Sequence, residues 1–259
     1  MDLGIRGRKA IVCASSAGLG RGCAMALAEA GVSLVINGRD AEALEATARD
    51  IRNKTGVEVR AVAADVGTRE GQAQLLEACP RPDILINNNG GPPFKDFREL
   101  DRAAMTAGVT ANMIAPIELV QKVVDGMAER GFGRIVNITS MSVKLPISGL
   151  DLSSGARAGL TAFLAGVARQ VAHRNVTINH LLPGSFDTRR LRAGISRWAA
   201  QSGKSEAEGA AEDMAKIPAK RFGTPEEFGN TCAFLCSVHA GYITGQNILM
   251  DGGFYPAAF

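Results

Sequence analysis

The sequence predicts a doubly wound α/β fold, one seven-stranded parallel sheet with helices on both faces. Three observations carry that prediction. Short runs rich in Ile, Val and Leu recur seven times along the 259 residues, separated by helix-length stretches. Each run is followed by Gly, Asn, Asp or Ser, residues suited to a tight exit from a strand. The runs are apolar on both sides, which fits strands covered from both faces.

The first strand is read at Lys9–Cys13, entering a helix at Leu19–Ala30. The second, Ser33–Asn37, precedes a helix at Ala41–Thr55, and the third, Glu58–Ala63, precedes one at Arg69–Ala78. The fourth, Ile84–Asn87, leads to a long helix, Arg102–Arg130, and the fifth, Gly133–Ile138, to a helix at Leu152–Arg174. The sixth, Thr177–Leu182, is separated from a helix at Pro225–Ser237, and Gln246–Met250 is the last strand. This alternation implies right-handed βαβ crossovers, a Rossmann fold. Thr188 to Phe222 breaks the rhythm. It has no strand and follows a strand's carboxyl end, where such sheets bind ligands, so residues 188–222 are read as a substrate lid. No repeat or linker divides the chain, and residues 1–259 are expected to form one domain.

Composition narrows the function classes. With 46% hydrophobic and 21% charged residues, a chain of this length builds its core without disulfides or structural metal. A net charge of +3 from scattered residues argues against nucleic acid as a partner. The absence of an apolar run of ~20 residues argues against a membrane span. The N-terminus enters a strand with no leader-like apolar segment. Five cysteines include no Cys-x-x-Cys, and Cys232 and Cys236, one helical turn apart, read as a buried helix face. The cytoplasm is the expected compartment. His173, His180 and His239 fall outside any site motif and read as structural.

The turn CASSAGLG (Cys13–Gly20) lies between a strand and a helix, where small residues and free helix N–H groups receive a pyrophosphate. Ala14 stands where a first glycine is usual. The second strand ends Asn37-Gly38-Arg39, without the carboxylate that would hold the ribose hydroxyl of NAD. Arg39 suits a 2′-phosphate and Gly38 leaves it room, so NADP is the expected cofactor. The alternative is a solvated arginine at the head of the next helix.

These residues resemble the short-chain dehydrogenase/reductase family along essentially the whole chain. CASSAGLG is similar to its TGxxxGxG, Asn87-Asn88-Asn89-Gly90 to its NNAG, and YITGQNILMDGG (Tyr242–Gly253) to its C-terminal signature. Within the family, the chain looks most like 3-oxoacyl-carrier-protein reductases. The resemblance implies cofactor contacts from Ala14, Ser15, Ser16, Gly18, Leu19, Gly20, Arg39, Asp65, Val66, Asn88, Asn89, Gly90 and Ile138. From LLPGSFDT it adds Pro183, Gly184, Phe186 and Thr188. It makes Asn112 the active-site asparagine and Ser140 the catalytic serine, and it implies a small-molecule substrate and a homotetramer.

One departure matters. Where the family's YxxxK should begin, thirteen residues after Ser140, Ser153 stands for the tyrosine and Arg157 for the lysine. A serine hydroxyl is a far weaker and shorter acid than a phenol, and arginine does not exchange protons at neutral pH. Arg157 is expected to hold the nicotinamide ribose. Lys144, four residues after Ser140, is the leading replacement acid, its alternative being a solvated surface lysine. Asp151 is a second candidate, or the cap of the following helix. Water beside Ser153 could also pass a proton to Ser140. The chain's two tyrosines are Tyr242, read as packing before the last strand, and Tyr255, read near a subunit interface with GFYPAAF. An NADP-dependent carbonyl reductase with a modified proton relay follows. The alternatives are a non-catalytic NADP-binding sensor or inactive partner subunit, and a substrate-assisted imine or ring reductase.

Overall fold

A computed structural model describes residues 1–92 and 94–258. Pro93, in the run GGPPF (Gly90–Phe94) whose sequence predicts a stiff, irregular wall beside the cofactor cleft, and Phe259, the last residue of GFYPAAF, lie outside the described residues. The strands are β1 (Lys9–Val12), β2 (Ser33–Gly38), β3 (Val59–Ala63), β4 (Ile84–Asn87), β5 (Gly133–Ile138), β6 (Val176–Pro183) and β7 (Asn247–Met250). They form one sheet in the order β3-β2-β1-β4-β5-β6-β7, with every pairing parallel. The order reverses between β1 and β4, which opens a crevice at their carboxyl ends.

Alternation along each strand divides the core in two. Ile84 and Ile86 face one cluster, with α1 (Gly18–Glu29), α2 (Ala41–Thr55) and α9 (Pro225–Cys236). Leu85 faces the other, with α3 (Arg69–Ala78), α5 (Ala115–Glu129) and α6 (Asp151–Val171). Cys232 and Cys236 are fully buried on α9, and all five thiols are free, as the spacing suggested.

The long helix expected at Arg102–Arg130 is interrupted. It divides into α4 (Arg102–Val109) and α5, joined by a π turn at Thr110–Ile114 in which the Ala115 N–H donates to the Thr110 carbonyl. Pro116 has no N–H for the Asn112 carbonyl, so regular bonding fails at this point. The span Arg102–Glu129 is long and apolar enough to cross a membrane by length and composition. In the fold, Leu119, Val120 and Val123 of α5 pack into the core.

The lid contains α7 (Arg189–Ser202) and α8 (Glu206–Lys216), capped by Thr188 and by a Ser205–Glu208 box. Its two ends are tied together. The Asp187 N–H donates to the Gly223 carbonyl (2.8 Å) and the Gly223 N–H to the Ser185 carbonyl (3.0 Å). A side chain at Gly223 would start 2.6 Å from the Phe186 ring.

His180 on β6 is buried and neither ring nitrogen has a partner among the described residues. Burial pushes its pKa down to about 4 from 6.5. The unfolded chain therefore takes up a proton that the native fold refuses, so stability is complete above about pH 6.5 and falls toward pH 4. His180→Leu should remove about 2–3 kcal/mol of the stability that the natural chain loses between pH 7 and 4.5. Urea unfolding at both pH values measures it; an equal acid loss in the two proteins would contradict this account.

Candidate active site

The phosphate end is built by a strained turn. Ala14 has φ 44°, a left-handed conformation that explains why glycine is usual there. Two asparagines hold it: the Ala14 N–H donates to Asn37 Oδ1 (3.3 Å) and Asn88 Nδ2 donates to the Ala14 carbonyl (3.1 Å). A Cβ on Gly20 would lie 2.3 Å from that carbonyl, so helix and turn approach as closely as only glycine allows. Side chains cap α2, α3, α4, α7, α8 and α9, whereas α1, like α5 and α6, has no side-chain cap. Its first amides, from Gly18 to Gly20, are thus left for an anion. Thr188 completes the cradle, its methyl 3.5 Å from the point where a Gly18 side chain would begin.

Two of the expected contact residues turn their side chains into the fold. Ser15 is fully buried, donating from its hydroxyl to the Val12 carbonyl (2.8 Å) and from its N–H to the Asn37 carbonyl (2.7 Å). It shapes the turn, with neither donor free for the cofactor. The Phe186 ring turns into the core, edge-on to Phe228 at 5.2 Å, so its side chain is withdrawn from the cleft. Leu19 packs its side chain against the core, and only its backbone faces the turn.

At the adenosine end, Arg39 is exposed with no carboxylate in ion-pair range among the described residues, and Gly38 adjoins Ser16. The nearest acid in sequence, Asp40, is held as the cap of α2 by the Ala43 N–H (3.0 Å). Asp65 is exposed, accepting from the Gly67 N–H (2.8 Å), and Val66 is buried beside it. These residues fit a cofactor bearing a 2′-phosphate.

At the reacting end lies a cavity of about 20 Å³, lined by Val66, Asn88, Asn89, Asn112, Ile138 and Arg157 among others. That is room for one water. Asn89 Nδ2 donates to the Ala111 carbonyl (3.3 Å), tying the strand-end loop with Gly90 to the π turn. Asn112 Nδ2 donates to the Gly108 carbonyl (3.2 Å), while its buried Oδ1 has no partner among the described residues. A side chain on Gly108 would begin 2.6 Å from Leu152 of α6, so this glycine sets the approach of the asparagine to the helix. Ser140 ends the β5 exit, its Oγ accepting from the Ser142 N–H (3.1 Å), which leaves the hydroxyl proton to give.

Ser153 and Arg157 are both buried, and Arg157 Nε donates to Ser153 Oγ (3.2 Å). Arg157 Nη1 donates to the Ile138 carbonyl (2.8 Å). Desolvation by burial, with a smaller push from the charge of Arg190, lowers the guanidinium pKa to about 10. It remains a cation at neutral pH. Lys144 is exposed, the solvated position of its alternative reading and not a desolvated one, with its ammonium 5.9 Å from the centre of the Tyr255 ring. Pro183 and Gly184 leave β6 against the C-terminal segment, where the Gly184 N–H donates to the Met250 carbonyl (2.8 Å).

Two further expectations are overturned. Asp151 is the first residue inside α6, and Leu150 takes the cap position without a side-chain bond. Tyr242 is fully exposed and packs against nothing, because the turn before β7 carries it outward. Sequence reasoning missed Asn37 as the anchor of the turn, although a polar residue ending an otherwise apolar strand was a visible signal. It also missed the Ser153–Arg157 bond, whose four-residue spacing on one helix permits it.

A family model described as enoyl-(acyl carrier protein) reductase matches residues 13–255. The chain is 34% identical over 251 residues to the NADPH-dependent reductase BacG of Bacillus subtilis, covering 95% of this chain and 97% of that one. It is 32% identical over 259 residues to the 3-oxoacyl-[acyl-carrier-protein] reductase FabG of Aquifex aeolicus, covering 98% and 100%. Among solved structures, L-sorbose reductase from Gluconobacter frateurii, complexed with NADPH and L-sorbose, superposes with a TM-score of 0.95. That match is at 29% identity, over 99% of this chain and 100% of the other.

Proposed function

The chain belongs to the short-chain dehydrogenase/reductase family, and from that premise we infer that it reduces the carbonyl group of a small molecule with NADPH. It is an NADP-dependent oxidoreductase. The observation that carries this reading is the uncapped α1 behind the Ala14–Gly20 turn, on the same carboxyl edge of the sheet as Ser140 after β5, with Asn112 lining the cavity there beside Asn88 and Arg157. When bound, NADPH supplies the hydride.

The rest is the work of side chains. Ser140 donates its hydroxyl proton in a hydrogen bond to the carbonyl oxygen and steadies the charge that develops there. Lys144 supplies the proton that the missing phenol would have given. Four residues separate it from Ser140, and no carboxylate is in ion-pair range among the described residues. Asn112, Ser153 and Arg157 position the reacting groups, and Arg157 would hold the nicotinamide ribose of the bound cofactor. The reading extends to one domain over residues 1–259 with its lid at 188–222, assembled as a homotetramer in the cytoplasm. Exposed Ile114 and Phe163 offer apolar contacts for assembly, and five free thiols suit a reducing compartment.

The experiment is NADPH oxidation across a panel of carbonyl compounds, with calorimetry of cofactor binding alongside. NADPH should bind at least about tenfold more tightly than NADH, or roughly 1.4 kcal/mol. Arg39→Ala should remove most of that difference. Equal affinities for the two cofactors in the natural protein would overturn the assignment of Arg39.

A further inference from the structure

The lid's arginines do not share one environment. Arg192 makes a two-pronged pair with Asp187, at 2.7 and 2.6 Å. Arg190, two residues earlier on the first turn of α7, folds across the cleft instead. Its Nη1 and Nη2 donate to the carbonyls of Gly91 (3.3 Å) and Pro92 (3.2 Å). These are long, neutral contacts for a guanidinium, whose charge-assisted bonds run nearer ~2.7–2.9 Å, so they are readily exchanged. Arg157 is buried, with Nε and Nη1 bonded to neutral acceptors. Among the described residues neither guanidinium has a carboxylate in ion-pair range, and the charge of Arg190 bears on Arg157. Beyond Pro92, the same loop presents Phe94 and Phe97, both largely exposed. Phe94 lies against Gly149, just ahead of α6.

We propose that Arg190 seats a carboxylate of the substrate, and that the compound reduced is an oxo acid with an apolar body lying along Phe94 and Phe97. This rests on the reductase reading. Hydride adds to the carbonyl carbon and a proton to its oxygen, so oxo acid, NADPH and H⁺ yield hydroxy acid and NADP⁺. The cofactor's phosphates are the other anions within the cleft, and the test separates them.

Hexanoate and hexanamide, neither of which can be reduced as a ketone, are titrated into NADPH-loaded protein by calorimetry. Then 2-, 4- and 5-oxohexanoate are compared with 2-hexanone as substrates. Hexanoate should bind and hexanamide should not, and Arg190→Gln should weaken hexanoate about 10–100-fold while NADPH affinity stays within roughly twofold. The preferred oxo acid should exceed 2-hexanone in kcat/KM, and Arg190→Gln should remove that preference through KM. Arg190→Lys, which keeps the charge, should keep part of it. Equal binding of acid and amide overturns the proposal. So does an Arg190→Gln protein that loses NADPH affinity with its acid-to-amide ratio unchanged, which would assign Arg190 to the cofactor's phosphates. Hexanoate binding that depends on Arg190, with no carbonyl compound oxidising NADPH, upholds the carboxylate seat and defeats the reductase reading alone.

Discussion

Lys144→Ala is expected to lower turnover by ~10²–10⁴-fold, the effect of removing a general acid, with NADPH affinity unchanged. The reason lies in what α6 no longer offers. Ser153 accepts from Arg157 and keeps its own hydroxyl proton, but an aliphatic hydroxyl is too weak an acid to surrender it, and Arg157 holds its charge at neutral pH. Lys144 is on the loop that begins at Ser140, is exposed, and rests over the Tyr255 ring. It can refill from solvent after each turnover. Single-turnover kinetics with deuterated NADPH identify the conditions in which chemistry limits the rate. Unchanged turnover in Lys144→Ala under those conditions would remove Lys144 from the mechanism.

Ser140→Ala should cost ~10²–10³-fold in kcat, with KM little changed, the pattern of a donor that matters only as charge grows on the carbonyl oxygen. Its Oγ already accepts from the Ser142 N–H, which aims the hydroxyl proton away from the loop. Because alanine leaves a small void and no buried unpaired charge, the fold should survive, and circular dichroism checks that. Should KM rise while kcat holds, Ser140 binds substrate without stabilising the transition state.

How legible the site was depended on the kind of interaction. Strand and helix order follow from periodicity, and the elements fall within a few residues of their expected places. Cofactor-turn residues were legible because a strand–glycine–helix passage has few solutions. Side-chain direction was not. Ser15 and Phe186 belong to matching motifs, yet one is locked inside its own turn and the other is drawn against Phe228 on α9. That contact joins residues distant in sequence, and no local pattern encodes it. The break at Asn112 was available in Pro116, whose missing amide forbids regular helix bonding. The split of the lid's arginines was not available, since both flank the same helix start and only the fold decides which meets Asp187 and which meets the Gly91 carbonyl.

The bridge that joins Ser185 and Asp187 to Gly223 makes the lid a closed cassette. Its excursions begin and end at one bridge beyond the carboxyl end of β6, and its interior meets the rest of the fold at few points, Arg190 on the Gly91 and Pro92 carbonyls and the Ala219 N–H on the Gly252 carbonyl among them. The entropy of closing such a loop rises only slowly with its length, about 0.6 kcal/mol per doubling. Lineages of this architecture can therefore exchange, lengthen or recharge the segment between the two anchors while β6 and α9 stay as they are. Grafting a relative's lid between Asp187 and Gly223 is the natural route to a new substrate range, and the glycine is the residue that must travel unchanged.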